Sequence, residues 1–280
     1  QGAAGLQMLP GCSPRWLTRH TSDLPVQRGR IMVRMRIRLA YDGREFEGWQ
    51  IQPGKRTVQG ELERALSAAY DRHLHLTGAG RTDSGVHATG QVAHFDIEDP
   101  RIPPDRVVAA VRRHCPPDIL VYEASEAEPE FHACFDAIAR TYRYRFVLGV
   151  RWPHERGIVA PWPYPGRPDP RRLAEALAPL AGEHDFTSYT LVDQSARTRE
   201  RRLEPVIIEL TDRYLDLVFT ADGFLRRMIR MITGQLVSAW AEKEPAAVMA
   251  RVLSARDNAA CAAPALPDGL YLERIRYPGE

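Results

Sequence analysis

The residues of this 280-residue chain best suited to chemistry lie in one stretch, Gly78-Ala79-Gly80-Arg81-Thr82-Asp83-Ser84-Gly85-Val86-His87-Ala88. Its three glycines permit unusual backbone dihedrals and close approach by a neighbour. Arg81 and Asp83 place a cation and a carboxylate two residues apart in that loop, and loops held by a rigid scaffold are where function concentrates. The same residues also fit a structural turn closed by a surface Arg–Asp pair, and composition alone leaves both readings open. A nucleotide-phosphate cradle is excluded by pattern, because the glycines are not spaced G-x-G-x-x-G and no Lys-Ser/Thr pair follows. His87 and His94 lack further ligands at metal-binding spacing, so no metal site is expected. His87 reads instead as a hydrogen-bonding residue that shapes the loop. Further along, Arg226 and Arg230 stand four residues apart with Arg227 beside them, the spacing of a basic helix face.

These residues need elements to hold them. Val33, Met35, Ile37, Leu39 and Tyr41 alternate with Arg34, Arg36, Arg38 and Ala40, the period-2 pattern of a strand with one basic face. Thr57 is placed to cap a helix whose stripe is Val58, Leu62, Ala65, Leu66 and Ala69. Residues 73–77 and 91–96 read as strands on either side of the Gly-rich loop, 104–114 as a helix and 119–124 as a strand. That order is β-α-β-β-α-β, the ferredoxin-like unit. The second half repeats it. Residues 139–148 alternate Tyr142, Tyr144 and Phe146 against Arg143 and Arg145. Asp169-Pro170 opens a helix, residues 203–210 and 214–220 form a hairpin, a long helix spans 224–240, a shorter one begins at Pro245, and 270–277 closes as a strand. The expected fold is therefore α+β: two ferredoxin-like domains, 32–128 and 129–280, with antiparallel or mixed sheets. Residues 1–31 show no sustained period and read as a disordered N-terminal extension.

Composition narrows the class. The chain is 44% hydrophobic, enough for a real core without metal or disulfide staples, and no apolar run approaches the ~20 residues of a membrane span. Cys12, Cys115, Cys134 and Cys261 form no C-x-x-C pair, so neither a zinc ribbon nor a disulfide framework is expected. A reduced, cytoplasmic setting is the expectation. Net charge is only +2, which by itself does not indicate a nucleic-acid partner. Lysine occurs only at Lys55 and Lys243, leaving 36 of the 38 basic residues as arginine. Arginine suits phosphate forks and base stacking, although genome composition produces the same bias.

Arg81 through Ala88, followed by Gln91-Val92 and Phe95, closely resembles the signature loop of the bacterial tRNA pseudouridine synthase A (TruA) family. Tyr41-Asp42-Gly43 through Gly48-Trp49-Gln50, Thr57-Val58-Gln59, Phe131-His132-Ala133, Arg140-Thr141-Tyr142-Arg143-Tyr144, Asp185-Phe186-Thr187-Ser188 and Gly269-Leu270-Tyr271-Leu272 resemble other family segments in the same order. The resemblance spans roughly residues 35–278. Two places depart from the family pattern: His114-Cys115 stands where an Asn-Leu pair is usual, and Arg197-Thr198 continues as Arg199-Glu200-Arg201-Arg202 where an apolar residue is common.

The resemblance implies an isomerase that converts uridines at positions 38–40 of the tRNA anticodon arm to pseudouridine, with no cofactor and no metal. It implies Asp83 as the nucleophile, Tyr142 as the aromatic ring packed on the target uracil, and Arg230 as a basic active-site residue. Arg81 is the expected cation that keeps Asp83 charged in a desolvated cleft. A homodimer with a central basic cleft for tRNA, and no membrane association, completes the expectation. On its own pattern, Tyr142 reads first as a core residue of an aromatic strand, and it is the resemblance that reverses this reading. Two other functions compete. A non-catalytic RNA-binding protein with two RRM-like domains would need an aromatic RNP motif, which the chain lacks, and leaves Asp83 unexplained. A carboxylate hydrolase would need two cooperating carboxylates, and only Asp83 stands out.

Overall fold

The computed structural model describes residues 32–98, 100–191 and 198–280. The extension expected over 1–31 lies outside the described residues, as does Arg197. In chain order the elements are β1 (Met32–Tyr41), α1 (Val58–Tyr70), β2 (Thr77–Gly78), β3 (His87–Glu98), α2 (Pro104–Arg112), β4 (Ile119–Ala127), β5 (Ala139–Val147), β6 (Ala160–Pro161), α3 (Pro170–Leu177), β7 (Gly182–Asp185), β8 (Glu200–Leu203), β9 (Ile207–Leu210), β10 (Tyr214–Ala221), α4 (Met228–Ala239), α5 (Pro245–Ala255) and β11 (Leu270–Arg276), with short 3-10 turns between them. The fold is α+β.

Most elements form where local chemistry places them. The Thr57 hydroxyl accepts from the Gly60 amide at the start of α1, and Asp169 accepts from the Arg171 amide at the start of α3, each meeting an amide that the helix leaves unbonded. The strand expected over 73–77 contracts to Thr77–Gly78. Its preceding amides bond to α1 instead: Leu74 to the Ser67 hydroxyl and Leu76 to the buried Glu63 carboxylate at 3.0 Å. The hairpin strand expected over 203–210 is divided, with Pro205 between β8 and β9. A proline has no N–H to donate to a ladder.

The strands join one mixed sheet in the order β4-β1-β3-β11-β5-β10-β8-β7, with β2 beside β3, β6 beside β5 and β9 beside β10. Strands of the first half meet strands of the second at the parallel pair β3–β11, where Tyr271 lies opposite His87 and Leu272 opposite Ala88. The junction therefore falls at the end of the Gly-rich loop.

One face of the sheet carries the core: Met35, Ile37 and Leu39 from β1 and Tyr144, Phe146 and Leu217 from β5 and β10 are all buried. Arg34, Arg36 and Arg38 of β1 and Arg143 and Arg145 of β5 alternate with these core residues and pair with carboxylates. Arg34 pairs with Asp96 at 2.6 Å, and Arg36 and Arg38 share Glu280. Arg143 and Arg145 converge on buried Asp216 at 2.8 and 2.7 Å, and Arg143 also reaches Glu209 and Glu273. The basic face seen in the sequence is thus an ion-paired sheet surface rather than a row of free cations. No helix among the described residues is long and apolar enough to cross a membrane.

Candidate active site

The Gly-rich loop is pinned along its length. The Ala79 amide donates to the Val92 carbonyl at 2.8 Å, and the fully buried Gln91 donates to the Gly80 carbonyl at 2.9 Å. Thr82 is held on both sides: its hydroxyl bonds the Tyr41 hydroxyl at 2.8 Å, and its carbonyl accepts from the Trp49 amide at 3.0 Å. A turn closed by the Val86 amide on the Asp83 carbonyl follows. Gly43 lets another segment lie against this turn, since a Cβ there would stand 2.1 Å from the Val86 carbonyl oxygen. Gly85 has φ +79°, and a Cβ there would press on Pro267 at 2.9 Å. Only glycine fits either position without backbone movement.

His87 behaves as its sequence context suggests. Its Nδ1 accepts from the Gly43 amide at 3.1 Å, and its Nε2 faces the Gly157 carbonyl at 2.7 Å. An amide donor on Nδ1 and a carbonyl acceptor at Nε2 define the neutral Nε2–H tautomer. Burial lowers its pKa further below the ordinary histidine range. The ring stacks on Tyr271 at 4.6 Å, so His87 ties the loop to the first residues of β11.

The loop leaves the Asp83 carboxylate about a quarter exposed and facing α4. Its partner there is Arg230, with Nη1 3.3 Å from Oδ2, and Arg227 Nε lies 4.0 Å from the same oxygen. The expectation that Arg81 neutralises Asp83 is corrected. Arg81 is exposed and makes no hydrogen bond or ion pair among the described residues. The reason is local: Thr82 is anchored inward, and the turn that begins at Asp83 sends its carboxylate toward a guanidinium already fixed on the other side. Arg230 Nε donates to the Ala265 carbonyl at 2.8 Å, and the Arg230 carbonyl accepts from the Ala265 amide at 2.8 Å.

The helix expected from Phe224 begins only at Met228. Arg226 and Arg227 therefore do not share a helical face with Arg230. Arg227 adopts φ 60°, ψ 10°, and the Arg226 carbonyl accepts from the Thr190 hydroxyl at 3.0 Å rather than from a following helical turn.

Tyr142 lies in β5 on the buried face, edge-on to Phe224 at 5.2 Å and 81°. Its hydroxyl end points at the loop, 3.9 Å from where a Cβ on Gly80 would sit, and it forms no hydrogen bond among the described residues. Burial raises its pKa, with the neighbouring Tyr41 phenol adding to the effect, so at neutral pH the ring carries a protonated hydroxyl. The structure thus brings Arg230 onto Asp83 and sets Tyr142 near enough for the Asp83 carboxylate to add to the rise in its pKa, while Arg81 is exposed and unpaired among the described residues.

Arg140 is a residue that sequence reasoning missed. Its guanidinium donates to the carbonyls of Cys134 at 2.6 Å, Asp222 at 2.7 Å, Ala137 at 3.0 Å and Ala79 at 3.3 Å. It fastens the first residues of the Gly-rich loop to the segment before β5 and to the turn that leads into α4. The signal was present: period-2 alternation puts Arg140 on the same face as Tyr142, Tyr144 and Phe146, and an arginine on an aromatic core face requires partners.

Residues 38–136 and 176–278 match the family model of tRNA pseudouridine synthase. The chain is similar to the tRNA pseudouridine synthase A of Limosilactobacillus fermentum, with 39% identity over 252 residues covering 88% of this chain and 96% of that protein. It is similar to the protein of the same name from Hyphomonas neptunium, with 37% identity over 250 residues covering 88% and 99%. The tRNA pseudouridine synthase A of Solibacter usitatus is 42% identical over 212 residues, covering 74% of this chain and 87% of that protein. On the family model and on these near-full-length identities, the chain belongs to the tRNA pseudouridine synthase family.

Proposed function

We propose that this isomerase acts on uridines 38–40 of the tRNA anticodon arm, with Asp83 as its nucleophile. Pseudouridine formation breaks the N1–C1′ bond, turns the uracil and joins C1′ to C5; the C5 proton leaves and N1 acquires one. Asp83 adds to C1′ of the ribose or to C6 of the ring, and either route needs a carboxylate that is aimed and shielded from bulk water. The observation that carries this reading is the Asp83–Arg230 ion pair, which fastens the loop of one half to a helix of the other.

Each remaining residue has a task that its surroundings support. Arg230 offsets the cost of desolvating the carboxylate. Tyr142 offers a ring face to the turned-out uracil, since a base must leave its stack before it can be rearranged. The exposed Arg81 faces the incoming RNA. In this reading the halves 32–128 and 129–280 are two ferredoxin-like domains flanking a central basic cleft, and the enzyme works in the cytoplasm as a homodimer that grips one tRNA across both copies.

The test is incubation with tRNA transcripts followed by mapping of pseudouridine. Product at 38, 39 or 40, lost when that uridine is replaced by cytidine, supports the assignment; product confined to another arm of the tRNA refutes it.

A further inference from the structure

Two arginines approach Asp83, and they are held very differently. Arg230 is 12% exposed, and its Nε is satisfied by the Ala265 carbonyl. Arg227 is 36% exposed; its Nε is buried without a hydrogen-bond partner among the described residues and stands 4.0 Å from Asp83, beyond hydrogen-bond range. A buried N–H left unmade is costly, so the arrangement is a poor one if Arg227 serves only as a second counter-ion to a carboxylate that Arg230 already pairs.

The backbone beneath Arg227 is strained as well. Among the described residues, three that are not glycine have positive φ: Asp71, Arg227 and Arg256. Asp71 and Arg256 end helices α1 and α5, where a left-handed residue is the ordinary terminator. Arg227 instead precedes α4, a position that is normally extended. The surrounding structure enforces the conformation. The Arg226 carbonyl accepts from Thr190 at 3.0 Å, the Arg227 carbonyl accepts from the Met231 amide at 2.9 Å, and Arg140 holds the Asp222 carbonyl at the start of the same turn. Strain maintained in this way beside a reacting group marks a functional position.

The geometry points to Arg227 as a phosphate-binding residue that engages the RNA backbone at the target nucleotide while Arg230 stays on Asp83. This rests on the functional reading above. A phosphodiester supplies what Arg227 lacks, acceptor oxygens matched to a guanidinium fork, and it necessarily accompanies a uridine brought to Asp83. Pairing Arg227 with substrate also leaves the nucleophile with a single fixed cation.

The experiment is the salt dependence of tRNA binding by the full-length protein and by Arg227→Asn, with Arg227→Gly as a second variant. Asparagine and glycine both accept the left-handed conformation, so each removes the guanidinium without adding strain. Loss of one phosphate contact makes the negative slope of log K against log salt shallower by about 0.7–0.9 and weakens binding roughly tenfold at moderate salt. The tRNA concentration for half-maximal turnover rises in step. A slope equal to that of the unaltered protein, with the loss falling on the single-turnover rate at saturating tRNA or on melting temperature alone, overturns the assignment. Failure of the functional reading looks different: the unaltered protein binds tRNA and makes no pseudouridine at 38–40.

Discussion

The two halves of the sheet supply the site by different means. Asp83 comes from the first half on a loop with no regular structure, fixed by Gln91, Tyr41 and Trp49 and by the close approach at Gly43. Tyr142 and Arg230 come from the second half on a strand and a helix, where ordinary periodicity sets their direction. Strand and helix fix a ring and a cation through their own repeating bonds. The loop must borrow its rigidity from neighbours, which is why buried Gln91 and Tyr41 are hydrogen-bonded to it on either side of Arg81.

That contrast yields graded expectations. Gly43→Ala strikes the loop's borrowed support, because its methyl group would overlap the Val86 backbone. Turnover should fall about 100-fold, the cost of a misplacement near 1 Å, with a stability loss of about 1–3 kcal/mol. Single-turnover rate beside thermal melting checks this; an alanine variant that turns over normally would show that the loop is not held as described.

Tyr142 tests the other half. Because the ring is buried, Tyr142→Ala should cost about 3–5 kcal/mol of stability and also lose about 1–3 kcal/mol of stacking on the base. Tyr142→Phe keeps the ring, so its melting temperature should hold while any loss of rate, up to about 100-fold, reports the hydroxyl. The informative comparison is rate per folded molecule. If Tyr142→Ala matches the unaltered protein on that scale, the residue is core alone.

The smallest effect lies away from the site. His94 is buried, its Nδ1 accepts from the Ala133 amide at 3.1 Å, and His132, Arg34, Asp96 and Asp136 lie around it. Burial, with Arg34 and His132 adding to it, lowers its pKa from 6.5 to about 4. The unfolded chain therefore binds a proton that the folded one refuses between those values, and stability falls as pH drops from about 6.5 toward 4. The loss is about 2–3 kcal/mol, and nothing is lost above pH 7. His94→Asn keeps an acceptor for Ala133 and should flatten the melting curve's pH dependence; an unchanged dependence would place the effect in other groups.

Much of this is legible in the amino-acid sequence. Alternation in β1 and β5 separates the core face from the arginine face, and Thr57 and Asp169 mark their helix starts through chemistry confined to a few residues. The loop carrying Asp83 stands out by composition. What the sequence hides is long-range or conformational. The Asp83–Arg230 contact spans 147 residues, so the nearer Arg81 looked like the natural partner. The left-handed turn at Arg227 has no local signal, since arginine gives no hint of positive φ. The strand over 73–77 fails because Ser67 and Glu63 capture its amides, a competition that period-2 reasoning does not see.

In the proposed mechanism Asp83 does the chemistry and Arg230 acts through it across the two halves. Its most direct test is the single-turnover rate of pseudouridine formation for Asp83→Asn, Arg230→Gln and the double variant, with tRNA binding measured on the same samples. Asp83→Asn should lose more than about 100-fold in rate and still bind tRNA, and the double variant should be no slower than Asp83→Asn alone, since groups acting as a unit do not lose rate additively. An Asp83→Asn enzyme retaining more than about a hundredth of the rate, or a double variant in which the two losses multiply, would contradict the account.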